Sequence, residues 1–115
     1  MSYSITQFKQ LTSTGVAVNF YEPLPEKQFV ITGFNLKADR NVSNTVDARV
    51  VIYEASTITS TTEDRVLFED SMIRGERTGY TNTNILVNQG KWINATTTDA
   101  NINVTILGYY IDKIV

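Results

Sequence analysis

The sequence predicts an all-β protein, an antiparallel β-sandwich of about eight strands with a jelly roll as the leading topology. Three observations carry this. Apolar residues recur with period two in segment after segment, and no stretch of a dozen residues keeps a helical period. Thr and Asn are abundant while Ala is scarce, which suits strands and turns. Clusters of Pro, Gly, Asn and Asp separate the alternating runs at short intervals. An immunoglobulin-like sandwich is the second topology, weakened because its Cys–Trp–Cys pattern is absent.

The elements follow in order. Strands are expected near residues 3–11, 15–21, 28–37, 45–55, 64–73, 80–87, 91–96 and 100–112. Val16, Val18 and Phe20 alternate with Ala17 and Asn19, and Pro23-Leu24-Pro25 breaks the chain soon after. Val46, Ala48, Val50 and Ile52 alternate with Asp47 and Arg49 behind the polar cluster from Asp39 to Asn44. Val66 and Phe68 sit between Arg65 and Glu69, and Arg74-Gly75-Glu76 with Thr78-Gly79 marks the next break. Asn88-Gln89-Gly90 and Thr96 to Asp99 bracket a short strand around Trp92. In the last run Ile102, Val104 and Ile106 alternate with Asn101, Asn103 and Thr105. Such alternation describes a sheet that covers a core on one face and meets water on the other. The Ser- and Thr-rich segment from Ser56 to Asp64 reads as a mobile loop.

With 115 residues and no internal repeat, the chain fits one domain, residues 1–115, with residues 1–10 as a candidate N-terminal arm. Its mass of 12.9 kDa implies a folded surface of roughly 6,300 Å² against about 18,700 Å² unfolded. About two-thirds of the surface is then buried, enough for an independent but marginal fold that association would reinforce.

The chemistry of the side chains excludes more than it offers. There is no Cys and no His, so thiolate catalysis, disulfides, zinc–thiolate sites and the commonest general base are all missing. A net charge of −2 with scattered basic residues gives no footprint for nucleic acid or for an anionic membrane. The carboxylate pairs Glu63/Asp64 and Glu69/Asp70 are adjacent in sequence, and strand neighbours face opposite ways, so neither pair spans a cleft as a glycosidase requires. Asp99, Asn101 and Asn103 alternate as in a calcium loop but read as a polar strand face. No Gly-x-Ser-x-Gly elbow or phosphate-cradling loop occurs, and the Asn-x-Ser/Thr matches at Asn41, Asn94 and Asn103 are expected by chance. The expectation is a structural or binding protein without catalytic residues, metal or cofactor. The N-terminus lacks a basic head and apolar run, so synthesis in a cytoplasm without Sec export is expected.

A surplus of apolar residues on the outward parity is the remaining feature. Leu107, Tyr109 and Ile111 oppose Ile102, Val104 and Ile106, while Val51 and Tyr53 oppose Val50 and Ile52. Trp92 shares the parity of Asn94. Either a bulge near Gly108 flips the register and these residues cover the end of the sandwich, or they form an interface for another copy of the chain. Glycan binding is a further reading for exposed aromatics near amides: Trp92 with Asn94, or Tyr80 with Asn82 and Asn84.

Two stretches carry a resemblance: Tyr21 through Phe34, containing Val30-Ile31-Thr32-Gly33-Phe34, and Gly90 through Ala95 followed by Asn101 through Asp112. Their order resembles small β-sandwich proteins of tailed-phage particles, especially head decoration (capsid cement) proteins; tail-fibre and baseplate modules share the pattern. The resemblance implies a virion protein that binds the outside of a capsid, often as a homotrimer, with the major capsid protein as partner. An exposed arm carrying Tyr3, Ile5 and Phe8 would make the contact, while Val51, Tyr53, Trp92, Leu107, Tyr109 and Ile111 would join the copies.

Overall fold

The computed structural model describes residues 5–39, 48–99 and 101–113. All eight strands are present: β1 (Ile5–Leu11), β2 (Val18–Tyr21), β3 (Lys27–Ala38), β4 (Ala48–Ala55), β5 (Arg65–Met72), β6 (Arg77–Leu86), β7 (Trp92–Thr97) and β8 (Ile102–Asp112). No helix occurs among the described residues. The strands form two four-stranded antiparallel sheets ordered β1-β8-β3-β6 and β2-β7-β4-β5. Each sheet alternates early and late strands, as a chain folded double and rolled up must. The topology is a jelly roll, and the accessible surface of 6331 Å² matches the size expected of one such domain.

The inward parity of every strand fills one core. Leu11, Phe29, Ile31, Phe34, Leu36, Ile102, Val104 and Ile106 come from one sheet, and Phe20, Tyr21, Val50, Ile52, Met72, Ile93 and Ala95 from the other. Tyr21 stacks on Phe29 with centroids 4.0 Å apart, and Tyr110 meets Phe29 edge-on at 4.9 Å. The Tyr21 hydroxyl donates to the Ile106 carbonyl oxygen (2.6 Å) and lies 3.0 Å from that of Ile5, tying edge strand β2 to the opposite sheet. At one end Glu54 faces inward, fully buried, and its carboxylate accepts from Asn88 N (2.8 Å), Asn88 Nδ2 (3.0 Å) and Arg65 Nη2 (2.9 Å). A buried carboxylate persists only with such a set of donors.

The bulge lies elsewhere than expected. The parity of β8 runs unbroken through Gly108, with Ile102, Val104, Ile106 and Gly108 buried and Tyr110 against the core. The register slips instead in β3, between Ile31 and Gly33. Phe29 and Ile31 face inward at odd numbers, and Phe34, Leu36 and Ala38 do so at even ones. The change of parity falls beside Gly33, where the absence of a side chain lets the strand slip. Gly108 serves close packing instead, since a Cβ there would stand 2.2 Å from the Val30 oxygen and 2.5 Å from the Phe29 ring.

Two further expectations are corrected. Val16 is exposed, because β2 begins only at Val18 and the preceding residues form a turn held by Gly15 N donating to Thr97 O. Residues 5–11 are not a free arm but a strand paired to β8 along its whole length. Tyr3 of that arm, and Val46 of the fourth expected strand, lie outside the described residues.

Candidate functional site

The two outer faces of the sandwich differ in kind. On the sheet β2-β7-β4-β5, Val51, Tyr53 and Ala55 form a row on the outward side, beside Trp92 and Asn94 of β7. Water does not reach that row. Residues 56–64 fold back over it and are pinned by side chains beneath. The Tyr53 hydroxyl donates to Ser60 O at 2.7 Å, and Asn94 Nδ2 reaches Thr57 O (3.2 Å), Ile58 O (3.3 Å) and Ser60 O (3.2 Å). Asn94 is itself fixed by Asn19 Nδ2, 3.0 Å from its Oδ1. At the end of the segment Asp64 accepts from Lys91 (2.8 Å) and Ser56 (2.6 Å), and Arg49 pairs with Glu63 (3.7 Å) and with Glu69. The Lys91 and Ser56 hydrogen bonds hold the Asp64 carboxyl below the usual range. Burial raises the Tyr53 hydroxyl, and the Asn94 bond opposes this only in part.

This flap corrects three expectations. The segment from Ser56 to Asp64 is a pinned cover rather than a loose loop. Val51 and Tyr53 are 1% and 0% exposed and therefore present nothing to a second copy. Asn94 is fully buried with its amide committed, so Trp92 with Asn94 does not make a sugar site.

On the sheet β1-β8-β3-β6 the outer face has no such cover among the described residues. Leu107, Tyr109 and Ile111 stand there half-buried. Val30 lies opposite Tyr109 in β8 and opposite Leu86 in β6, shielded by these flanking side chains to 8% exposure. Gly33 leaves room for Leu107, whose Cδ1 lies 3.6 Å from where a Cβ would stand. Sequence reasoning missed Val30, whose outward turn depends on the β3 bulge. Further along, exposed Phe8 borders a shallow depression of about 190 Å³ with Asn35, Lys37, Arg77, Asn103 and Thr105. The six proposed interface residues thus divide between opposite sides of the molecule: Val51, Tyr53 and Trp92 on one sheet, Leu107, Tyr109 and Ile111 on the other. They cannot form one patch.

Between the free edges of β1 and β2 runs a groove of about 360 Å³, lined among others by Ile5, Lys9, Tyr21, Ile58, Trp92 and Tyr110. Its tyrosines are structural. Burial raises both Tyr21 and Tyr110, and the Tyr110 hydroxyl donates to Glu22 O at 2.7 Å. Asp70 accepts from Thr78 (2.7 Å), so every member of the two carboxylate pairs is tied to a neighbour. Among the described residues no three acidic side chains gather as a metal site. Among the same residues no helix is long and apolar enough to cross a membrane. Tyr80, Asn82 and Asn84 remain exposed on β6, the two asparagines in left-handed conformation with φ of 58° and 48°.

No protein-family model matches the chain, and no curated protein does. Solved structures do. One is a chain from the work titled "Bacillus endospore appendages form a novel family of disulfide-linked pili", at TM-score 0.51 and 9% identity over 99% of this chain and 88% of that one. Another belongs to the cyanophage Pam1 capsid asymmetric unit, at TM-score 0.50 and 13% identity over 94% of this chain and 84% of that one. At such identities the likeness concerns the fold, which this chain shares with those subunits along nearly its whole length.

Proposed function

We propose that the protein is a non-enzymatic structural subunit of a phage particle, a decoration (cement) protein that docks on the outer surface of the head and stabilises it. The observation that carries this is the asymmetry of the two outer faces. One is sealed by the chain's own flap, and the other leaves Leu107, Tyr109 and Ile111 at the surface beside Val30. Apolar residues grouped on an uncovered sheet face suit a protein partner. A capsid chain among the structures that share the fold supports the setting. The pilus neighbour is described as disulfide-linked, a linkage closed to a chain without cysteine. A subunit that binds only the assembled shell lowers its free energy by mass action, and many copies add up.

The test is co-sedimentation with heads that lack the protein, using wild type, Leu107→Asp and Tyr109→Asp. Wild type should pellet with the heads and raise their disruption temperature, and both variants should stay in the supernatant while remaining folded. Wild type that stays in the supernatant overturns the reading. A second reading, a sugar-binding module of a tail fibre or baseplate, draws on exposed Tyr80 beside Asn82 and Asn84; a glycan array without hits removes it.

A further inference from the structure

A sheet edge exposes unpaired backbone N–H and C=O groups, and proteins that remain apart blunt their edges with bulges, brevity or charge. Among the described residues this sandwich has four edge strands: β1 and β6 in one sheet, β2 and β5 in the other. Three are broken. In β6 the register jumps from Ile31↔Ile85 to Gly33↔Thr81, with Asn82 and Asn84 left-handed in between. In β5 it passes from Ile52↔Phe68 to Tyr53↔Val66 and skips Leu67. β2 has four residues and slips between Asn19 and Tyr21. β1 alone of these four is regular, seven residues paired from Ile5↔Gly108 to Leu11↔Ile102 without a slip. It contains neither Gly nor Pro, and at its centre stands Phe8, 61% exposed.

The edge also has a defined polarity. Leu11 O accepts from Asn101 N and so turns toward β8. Backbone groups alternate in direction along a strand, which sends those of Thr6, Phe8 and Gln10 outward along the free edge.

We propose that β1 pairs antiparallel with β1 of a second copy of this chain, about a two-fold axis passing through Phe8. The register follows from the sequence. Phe8 faces its own counterpart, Thr6 faces Gln10, Lys9 faces Gln7 and Ile5 faces Leu11. The residues whose backbone points outward are then those that exchange ladder bonds. The one charge on the strand meets an amide, and aromatic side chains pair across the axis. Centring on Lys9 would oppose two lysines and is disfavoured. A net charge of −2 per chain leaves little general repulsion. The two sheets become one eight-stranded sheet running β6-β3-β8-β1 and back, and the bulged β6 edges end it. The inference does not depend on the capsid reading: Phe8 shares the outer face of this sheet with Leu107, but the pairing uses the outward backbone groups of the β1 edge rather than that face.

The experiment is light scattering with sedimentation velocity on the full chain from about 1 µM to about 1 mM, the range over which a weak interface saturates. Wild type should pass from monomer to dimer and no further. Phe8→Glu and Phe8→Lys, substitutions of an exposed side chain that should leave the fold intact, should each weaken self-association roughly tenfold or more by placing like charges opposite one another. Mixed together, the two variants should form a heterodimer, because residue 8 faces residue 8 only in this register. A wild type monomeric throughout overturns the proposal. So does a trimer, a dimer untouched by Phe8→Glu, or a mixture that fails to associate. Self-association is read on the protein alone, with no heads present, so its outcome stands whatever the head co-sedimentation shows, and Leu107→Asp, which leaves the β1 backbone edge intact, should still dimerise.

Discussion

Gly108 offers the sharpest test of the packing argument. It sits in the middle of β8 and faces inward, and the ring of Phe29 occupies the space a side chain would need. In Gly108→Ala the new Cβ would stand 2.5 and 2.6 Å from two Phe29 ring carbons and 2.2 Å from the Val30 oxygen. Carbon atoms rest at about 3.5–4.0 Å, so the ring must retreat by roughly 1 Å. It has nowhere to go: Tyr21 stacks on it at 4.0 Å and Tyr110 abuts it at 4.9 Å. The Val30 oxygen belongs to the neighbouring strand, so the backbone must also part. Overpacking of this kind costs about 3 kcal/mol, the upper end of the usual range, because backbone is involved. For a domain of this length that lowers Tm by roughly 12 °C, measured by thermal unfolding followed by circular dichroism. Adding Phe29→Leu to Gly108→Ala should cost less than it does alone, since the smaller side chain frees the space. A fall in Tm below about 3 °C for Gly108→Ala would refute the reasoning, because the strands would then separate cheaply.

Other outcomes follow from the polar anchors. Glu54→Gln keeps the shape but turns donors toward Asn88 and Arg65, and should cost about 2–3 kcal/mol in urea unfolding with an unchanged m value. Asn94→Ala removes the amide that holds residues 57–60, so limited proteolysis should cut there at least about tenfold faster while the core stays protected. Stability should fall as pH rises above about 10: Tyr21, Tyr53 and Tyr110 are all raised by burial, so the unfolded chain ionises first and the native state binds more protons. Their contribution is complete below about pH 10, and an unfolding free energy that stayed flat to about pH 12 would contradict it. At the acid end Asp64 and Asp112, lowered by Lys91 and Lys27, stabilise the fold above about pH 4 and lose that effect as pH drops.

Strand positions were readable because alternation is local. β3, expected over 28–37, spans Lys27–Ala38, and β8, expected over 100–112, spans Ile102–Asp112. The partition into sheets was not readable as such, since β1 pairs with β8 and β3 with β6 through contacts that leave no local trace. Parity likewise told which way Val51 and Tyr53 face but not what lies over them. Their cover is made of backbone carbonyls from a polar segment, gathered by Tyr53 and Asn94, and neither hydropathy nor periodicity records that. Phe8 was singled out as part of an arm; the regularity of its edge became visible only beside three broken ones.

The place of β8 between β1 and β3 carries a consequence for how the chain acquires its structure. Ile5 finds its partner in Gly108, and Lys27 in Asp112. One whole sheet therefore lacks its middle until the last strand has been synthesised, and β1 waits without a hydrogen-bonding neighbour. Folding should be slow for the size, on the order of milliseconds to seconds, and that sheet should form in one step once β8 is available rather than strand by strand. Removing residues 102–112 would orphan β1, leave β3 paired with β6 alone and open the core instead of giving a shortened sandwich.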